Sequence, residues 1–257
     1  MNYDFHIHTV ACGHAEPTMT VPNIIARAEE MGLATIAITE HVSGMEDIKN
    51  VDIIYSEMQR HHGRCRVLIG AEVDVDRRYF DGRLVLDKRF GLDYIIGSMH
   101  YLPGTDVLPH CDLTRPISPE ETFVRWRSTL LGLVSSSIID TLGHPGIMIA
   151  NALDDKHFSR PVLGVFKEAA IISAKNGLMW ELNNLSGAKL SEAHRHQYYK
   201  VLQLAVDAGV RFIYGSDAHS PEDIGNTNFV SEILSRLVGV KIIEKPLIPK
   251  PRKLDLQ

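Results

Sequence analysis

Three cysteines in 257 residues are few, and at positions 12, 65 and 111 they are too scattered to staple a fold. A disulfide framework is therefore not expected, and a reducing, cytoplasmic setting is. No apolar run approaches the roughly 18 residues that a membrane helix needs, so no membrane partner is expected either. With Asp4 and His6 so near the start, the N-terminus lacks the basic and apolar regions of a secretory signal. The excess of one charge over the other is also small. The net charge is −5 and the pI about 6.2, which gives no electrostatic case for nucleic-acid binding. A basic stretch runs between Lys241 and Lys253, interleaved with Pro246, Pro249 and Pro251. That stretch reads as a solvated tail over residues 241–257, behind a single domain over residues 1–240.

What remains is an ordinary globular composition, 44% hydrophobic and 23% charged, in a length that suits one large α/β barrel or two small domains. Thirteen histidines stand out, chiefly for where they sit. The first is in Tyr3-Asp4-Phe5-His6-Ile7-His8, a strand-like run. Alternation along a strand puts His6 and His8 on one face, about 6–7 Å apart along the backbone. By itself an H-x-H admits two readings, a pair of metal ligands or two surface histidines.

Further along, Thr20 reads as an N-cap with Pro22 in the first turn, and Val21, Ile24, Ile25 and Ala28 follow helical spacing. Strands are expected at 34–39, 66–74, 94–99, 138–143, 178–184 and 211–216, with helices near 47–62, from Ser118 to 134, from 162 to 177, from Ser191 to 209 and over 228–237. Asp81-Gly82 marks a turn of a small hairpin. An apolar helix, a glycine and an apolar strand follow one another at Gly32, Gly177 and Gly209. Alternating units of this kind argue for a parallel sheet with helices on its faces. Seven strands without an obvious linker favour one closed or nearly closed barrel.

The strand ends can then be compared. They carry His6 and His8, His41, Glu72, His100, His144, and the pair Asp217 and His219. In a parallel barrel these C-terminal ends share one face, where active sites lie. A lone histidine there is usually structural, but metal-ligand types at six of seven ends point to a metal centre. Imidazole with carboxylate suits zinc, iron or manganese without choosing among them.

His6-Ile7-His8-Thr9, His14, Thr39-Glu40-His41, Gly70-Ala71-Glu72, His100, Gly143-His144-Pro145 and Gly215-Ser216-Asp217-Ala218-His219 together resemble the PHP family, named for polymerases and histidinol phosphatases, over almost the full chain. The resemblance implies a distorted, TIM-like (β/α)7 barrel and a phosphoesterase with three divalent ions, usually zinc, sometimes manganese or iron. Carried over by residue, it implies a first ion on His6, His8, Glu72 and Asp217. Glu72 bridges to a second, also held by His100 and His144. A third lies on His14, His41 and His219. Glu72, Asp217 and His219 are then the catalytic centre. A bridged pair of ions about 3.5–4 Å apart can turn a shared water into a hydroxide nucleophile against a small phosphomonoester such as histidinol phosphate. One residue departs from the pattern: Glu40 stands where many relatives have Asp.

Substrate contacts are open between two readings. Asn183, Asn184, Lys189, His194 and Arg195 follow the sixth strand, and His110 and Arg115 lie in a long loop that could form a lid; each fits a phosphate or leaving-group contact, or a solvated surface. Cys12, close to His14, is a soft ligand or a small packed residue. His61, His62, His157 and His196, away from strand ends, read as surface. Rival functions are an amidohydrolase, whose barrel also opens with H-x-H but bridges its metals through a modified lysine on the fourth strand, and a non-catalytic PHP interaction module. The substrate and the oligomeric state are not legible.

Overall fold

The computed structural model describes residues 1–60, 63–101, 118–146 and 160–243. Seven parallel strands follow one another in chain order around a single sheet: β1 (Tyr3–Ile7), β2 (Thr35–Val42), β3 (Arg66–Asp74), β4 (Tyr94–Ser98), β5 (Thr141–Leu142), β6 (Met179–Asn183) and β7 (Phe212–Gly215). Past the end of β7 the chain meets β1 again. The His8 N–H donates to the Ala218 carbonyl at 3.0 Å and the Asp217 N–H to the His6 carbonyl at 2.8 Å. The sheet is thus a nearly closed α/β barrel, TIM-like in form. Asp4 staples the same seam by accepting from the Ser216 and Gly225 N–H groups, both at 2.9 Å.

The strands are buried on both faces because helices cover the outside. These are α1 (Val21–Glu30), α2 (Ile48–Met58), α3 (Pro119–Leu133), α4 (Arg160–Asn176), α5 (Leu185–Ala188), α6 (Glu192–Asp207) and α7 (Asn228–Arg236). Each buries the stripe its spacing dictates: Val21, Ile24, Ile25 and Ala28 in α1, and Tyr198, Val201, Leu202 and Ala205 in α6. Gly32, Gly177 and Gly209, just past three helices, have φ between +72° and +88°, the left-handed stop that a side chain resists. Asp81-Gly82 does turn a small hairpin, with Val75 and Leu84 bridged antiparallel.

Several local expectations need correcting. Thr20 occupies the N-cap position, but its side chain makes no capping bond; Ser118 and Ser191 do cap, accepting from Glu121 and His194 N–H groups. α2 opens later than expected, behind a 3-10 turn at Met45–Asp47. β5 is only two residues long, opening at Thr141 and closing before Gly143, and the chain then turns through His144 at φ +24°. The four-residue α5 was not foreseen. Lys241–Ile243, expected to begin the tail, pair alongside β7: the Phe212 N–H donates to the Lys241 carbonyl and the Ile243 N–H to the Phe212 carbonyl, both at 2.9 Å. Residues 244–257 lie outside the described residues, as do His61, His62, His110, Arg115 and His157. Among the described residues no helix is long and apolar enough to cross a membrane.

Candidate metal centre

The centre starts from an irregularity in β1. Its register with β2 slips by one residue between Asp4 and Ile7, a bulge that re-aims the side chains beyond it. Strict alternation would send Phe5 and His6 to opposite faces. Instead Phe5 packs edge-on against Tyr94 of β4, and the next residue, His6, reaches Glu181 of β6. His8 follows on the same side, its Nε2 2.9 Å from that of His6.

Around this pair the strand ends converge on Glu72. Its Oε2 lies 3.0 Å from His41 Nδ1, 3.3 Å from His6 Nε2 and 3.6 Å from His8 Nε2. Its Oε1 accepts from the Ser98 hydroxyl at 2.7 Å and lies 2.9 Å from His144 Nε2 and 3.2 Å from His100 Nε2. Asp217 Oδ1 closes the other side, 3.4 Å from His8 Nε2 and 3.7 Å from His6 Nε2. His219 and His14 meet farther out, Nε2 to Nε2 at 2.9 Å. All nine residues expected as ligands therefore gather at the C-terminal end of the barrel. His144 and Asp217 (φ +61°) hold left-handed backbone without glycine, strain of the kind that surrounding structure must impose.

Whether these residues fit a cation can be tested on the hydrogen bonds behind them. His6 donates from Nδ1 to Glu181 Oε1 at 2.6 Å, and His100 from Nδ1 to Asp74 Oδ1 at 2.6 Å. His14 and His219 donate from Nδ1 to the carbonyls of Cys12 (3.1 Å) and Asp217 (2.9 Å). A carbonyl can only accept, so in the neutral rings Nε2 is left as a lone pair. The lone pairs then face each other with no proton between them. Two nitrogens each about 2.0–2.1 Å from one ion, at ordinary coordination angles, lie about 2.9–3.4 Å apart, the spacing seen here. Glu72 Oε2 and His8 Nδ1 are buried without a hydrogen-bond partner, although imidazole nitrogens ring the former. The residues fit divalent ions.

The electrostatics divide the imidazoles into two sets. Burial alone would raise the Glu72 carboxyl, but the His100, His6 and His41 imidazoles hold it well below the usual carboxylate range. Burial likewise opposes charge on His6 and His100, yet neighbouring carboxylates drive both well above an ordinary histidine: Glu181, Glu72 and Asp217 act on the first, Asp74 and Glu72 on the second. His8, His14 and His219 are pushed down, burial being the main cause in each. Glu40, next to His41, is itself fully buried and accepts from the Thr9 N–H, tying the loop after β1 to β2.

The structure is less kind to the expected substrate contacts. Asn183 is at the centre, but its amide donates to Asp217 Oδ2 at 3.1 Å and Glu181 Oε2 at 3.2 Å, holding carboxylates in place. Asn184 turns away and caps α7, its Oδ1 accepting from the Phe229 N–H at 2.9 Å. Arg195 is a fold clamp: it donates to the Ala188 and Leu190 carbonyls and pairs with Glu232 at 3.2 Å. Lys189 is exposed on the surface. A cavity of about 560 Å³ adjoins the centre, lined by His14, His41, His100, Ser43, Asn50 and Tyr101 among others.

Sequence reading passed over two carboxylates. Glu181 accepts from His6 with one oxygen and from the His144 N–H, at 2.7 Å, with the other. Asp74 holds His100 and also accepts from Ser43 Oγ at 2.5 Å. A signal for both was present. Glu181 interrupts the apolar run Leu178-Met179-Trp180, and a charge buried in such a run needs partners. Asp74 is two residues beyond Glu72, hence on the same strand face.

A family model for the PHP domain matches residues 4–185. A Photobacterium profundum protein named probable phosphatase is 28% identical over 241 residues, spanning 91% of this chain and 85% of its own. Among solved structures, a candidate histidinol phosphatase of Listeria monocytogenes superposes with a TM-score of 0.65 at 18% identity, covering 89% of this chain and 99% of that one. A Lactococcus lactis histidinol phosphate phosphatase, solved with zinc, L-histidinol and phosphate, gives 0.62 at 16% identity, with 94% and 95% covered. At these identities the two structures speak for the fold.

Proposed function

The chain belongs to the PHP domain family, and from that premise we propose that it is a metal-dependent phosphatase acting on a small phosphomonoester, with histidinol phosphate among the candidate substrates. The observation that carries this reading is the ring of imidazole nitrogens around Glu72, with His6 and His100 each fixed by a carboxylate on its far side. His6, His8, Glu72 and Asp217 would hold one ion, Glu72 with His100 and His144 a second, and His14 with His41 and His219 a third. Bound there, divalent ions would lower the pKa of an attacking water and offset the charge that builds on the phosphate. The chain's own groups do the positioning. Glu181 and Asp74 fix the His6 and His100 rings in one orientation, and Ser98 and Asn183 hold the Glu72 and Asp217 carboxylates at set angles. Preorganised groups need not move as charge develops, which is where their catalytic worth lies.

The neighbour's zinc, histidinol and phosphate and the relatives' names support this substrate class and zinc as a resident ion. The amidohydrolase alternative loses its support in β4, Tyr94–Ser98, which has no lysine to modify; Glu72 on β3 would be the bridge instead. A panel of phosphorylated metabolites assayed with protein of known metal content tests the proposal. Phosphate release that chelators abolish and zinc or manganese restores is expected. Fully metallated protein that releases phosphate from none of them, yet opens an amide or cyclic amidine, overturns it.

A further inference from the structure

We propose that Cys12 is a metal ligand, completing with His14 and His219 an outer site for a thiophilic divalent ion such as zinc. The inference rests on the metal reading above and assigns a ligand beyond it. Its geometry begins in the loop after β1. The 3-10 turn Val10–Cys12 is capped by Thr9 Oγ1, which accepts from the Ala11 N–H at 3.1 Å, and ends at Gly13 with φ +82°. That turn folds His14 back over Cys12. The Cys12 carbonyl orients the His14 ring, and its Sγ lies within 4.8 Å of the ligand nitrogens of both His14 and His219. The sulfur faces a polar neighbour, accepting from the Ala15 N–H at 3.2 Å.

Two lone pairs 2.9 Å apart, at His14 and His219, already point to a cation, and zinc in a closed site takes four ligands. The sequence offered His41 as the third. In the structure His41 turns Nδ1 to Glu72 Oε2 at 3.0 Å. Its ligand atom groups with Glu72 and His100, or with His8 and His219, and its ring centroid lies 5.2 Å from that of His14; the described group that contains His14 holds Cys12 and His219. Sulfur therefore stands beside both nitrogens as a further ligand for the outer ion. Binding would send the thiol proton to solvent and leave a thiolate on the ion. Soft sulfur with two imidazoles selects zinc over manganese or magnesium, whereas the imidazole and carboxylate set around Glu72 does not discriminate so sharply. One barrel face would thus carry sites of two kinds.

Cobalt(II) titrated into metal-free full-length protein tests this. A near-ultraviolet sulfur-to-cobalt charge-transfer band is expected, absent in Cys12→Ser, with zinc affinity at one site weakened at least about tenfold. Cobalt uptake without the band, or a band unchanged in Cys12→Ser, overturns the Cys12 assignment while leaving the metal reading intact. No cobalt uptake at all overturns both. Should Cys12→Ser fail to fold, alkylation of Cys12 in the parent, mapped by peptide mass spectrometry, decides the same question. Zinc should slow it at least about tenfold, as protection of a ligating thiolate requires, and manganese should not; equal rates with and without zinc sink the proposal.

Discussion

The inner and outer parts of the metal centre are built on different principles. Around Glu72 the side chains stand on strands or within two residues of their ends, and His6, His8, Glu72 and His144 are all buried. Carboxylates behind them, Glu181 and Asp74, set the rings. The outer pair is looser. His14 is exposed on a loop, His219 is half-buried, and backbone carbonyls do the orienting. A carboxylate partner raises the charge density a ligand offers and costs a buried negative charge; a carbonyl fixes a tautomer without that cost. Inner ions should accordingly be tight and hard to exchange, and the outer one removable.

The deepest break would come from Glu72→Gln. It keeps the size and removes the charge on which His6, His8, His41, His100 and His144 converge. It should lower kcat/KM by at least about 10³-fold with loss of more than one ion per chain. Near-normal rate and metal content would exclude Glu72 as the bridge. Glu181→Gln comes next. Both of its oxygens accept, from His6 Nδ1 and from the His144 N–H, and an amide has only one acceptor to offer. Inner metal affinity should fall about 10–100-fold while the His14–His219 ion stays. Equal loss at all sites would instead mark a general collapse.

His14→Ala sharpens the contrast from the other side. It should remove one ion and leave the inner pair, with activity lower by about tenfold or more. Because His14 is exposed, thermal stability of the metal-free protein should change by no more than about 0.5 kcal/mol. Elemental analysis beside the parent decides it; an unchanged count means His14 is no ligand. The smallest effect is in proton traffic. Neighbouring carboxylates push His6 and His100 towards the protonated form in the metal-free protein, whereas burial pushes His14 and His219 towards the neutral form. Filling the inner sites near neutral pH should release protons from the first two, so inner affinity weakens more steeply as pH falls. Calorimetry in buffers of differing ionisation heat reads this directly; equal release on filling inner and outer sites would contradict it.

What the sequence determined by itself was everything that recurs locally. Strand periods, helix stripes and stop glycines follow from neighbours a few residues apart, and so does the placing of His6, His41, Glu72, His100, His144 and Asp217 at strand ends. From alternation and barrel closure, one shared face follows. Only the tertiary structure decided what each of these side chains touches. Glu181 meets His6 across 175 residues of chain, and no local pattern encodes that register. The bulge in β1 reverses an alternation that would otherwise have hidden either Phe5 or His6. Arg195 and Asn184 carry the polar groups of a substrate site, yet unpaired carbonyls and the N-terminus of α7 lie nearer and claim them. A side chain's chemistry is written in the sequence, but its partner is whichever complementary group the packed fold brings within about 3 Å.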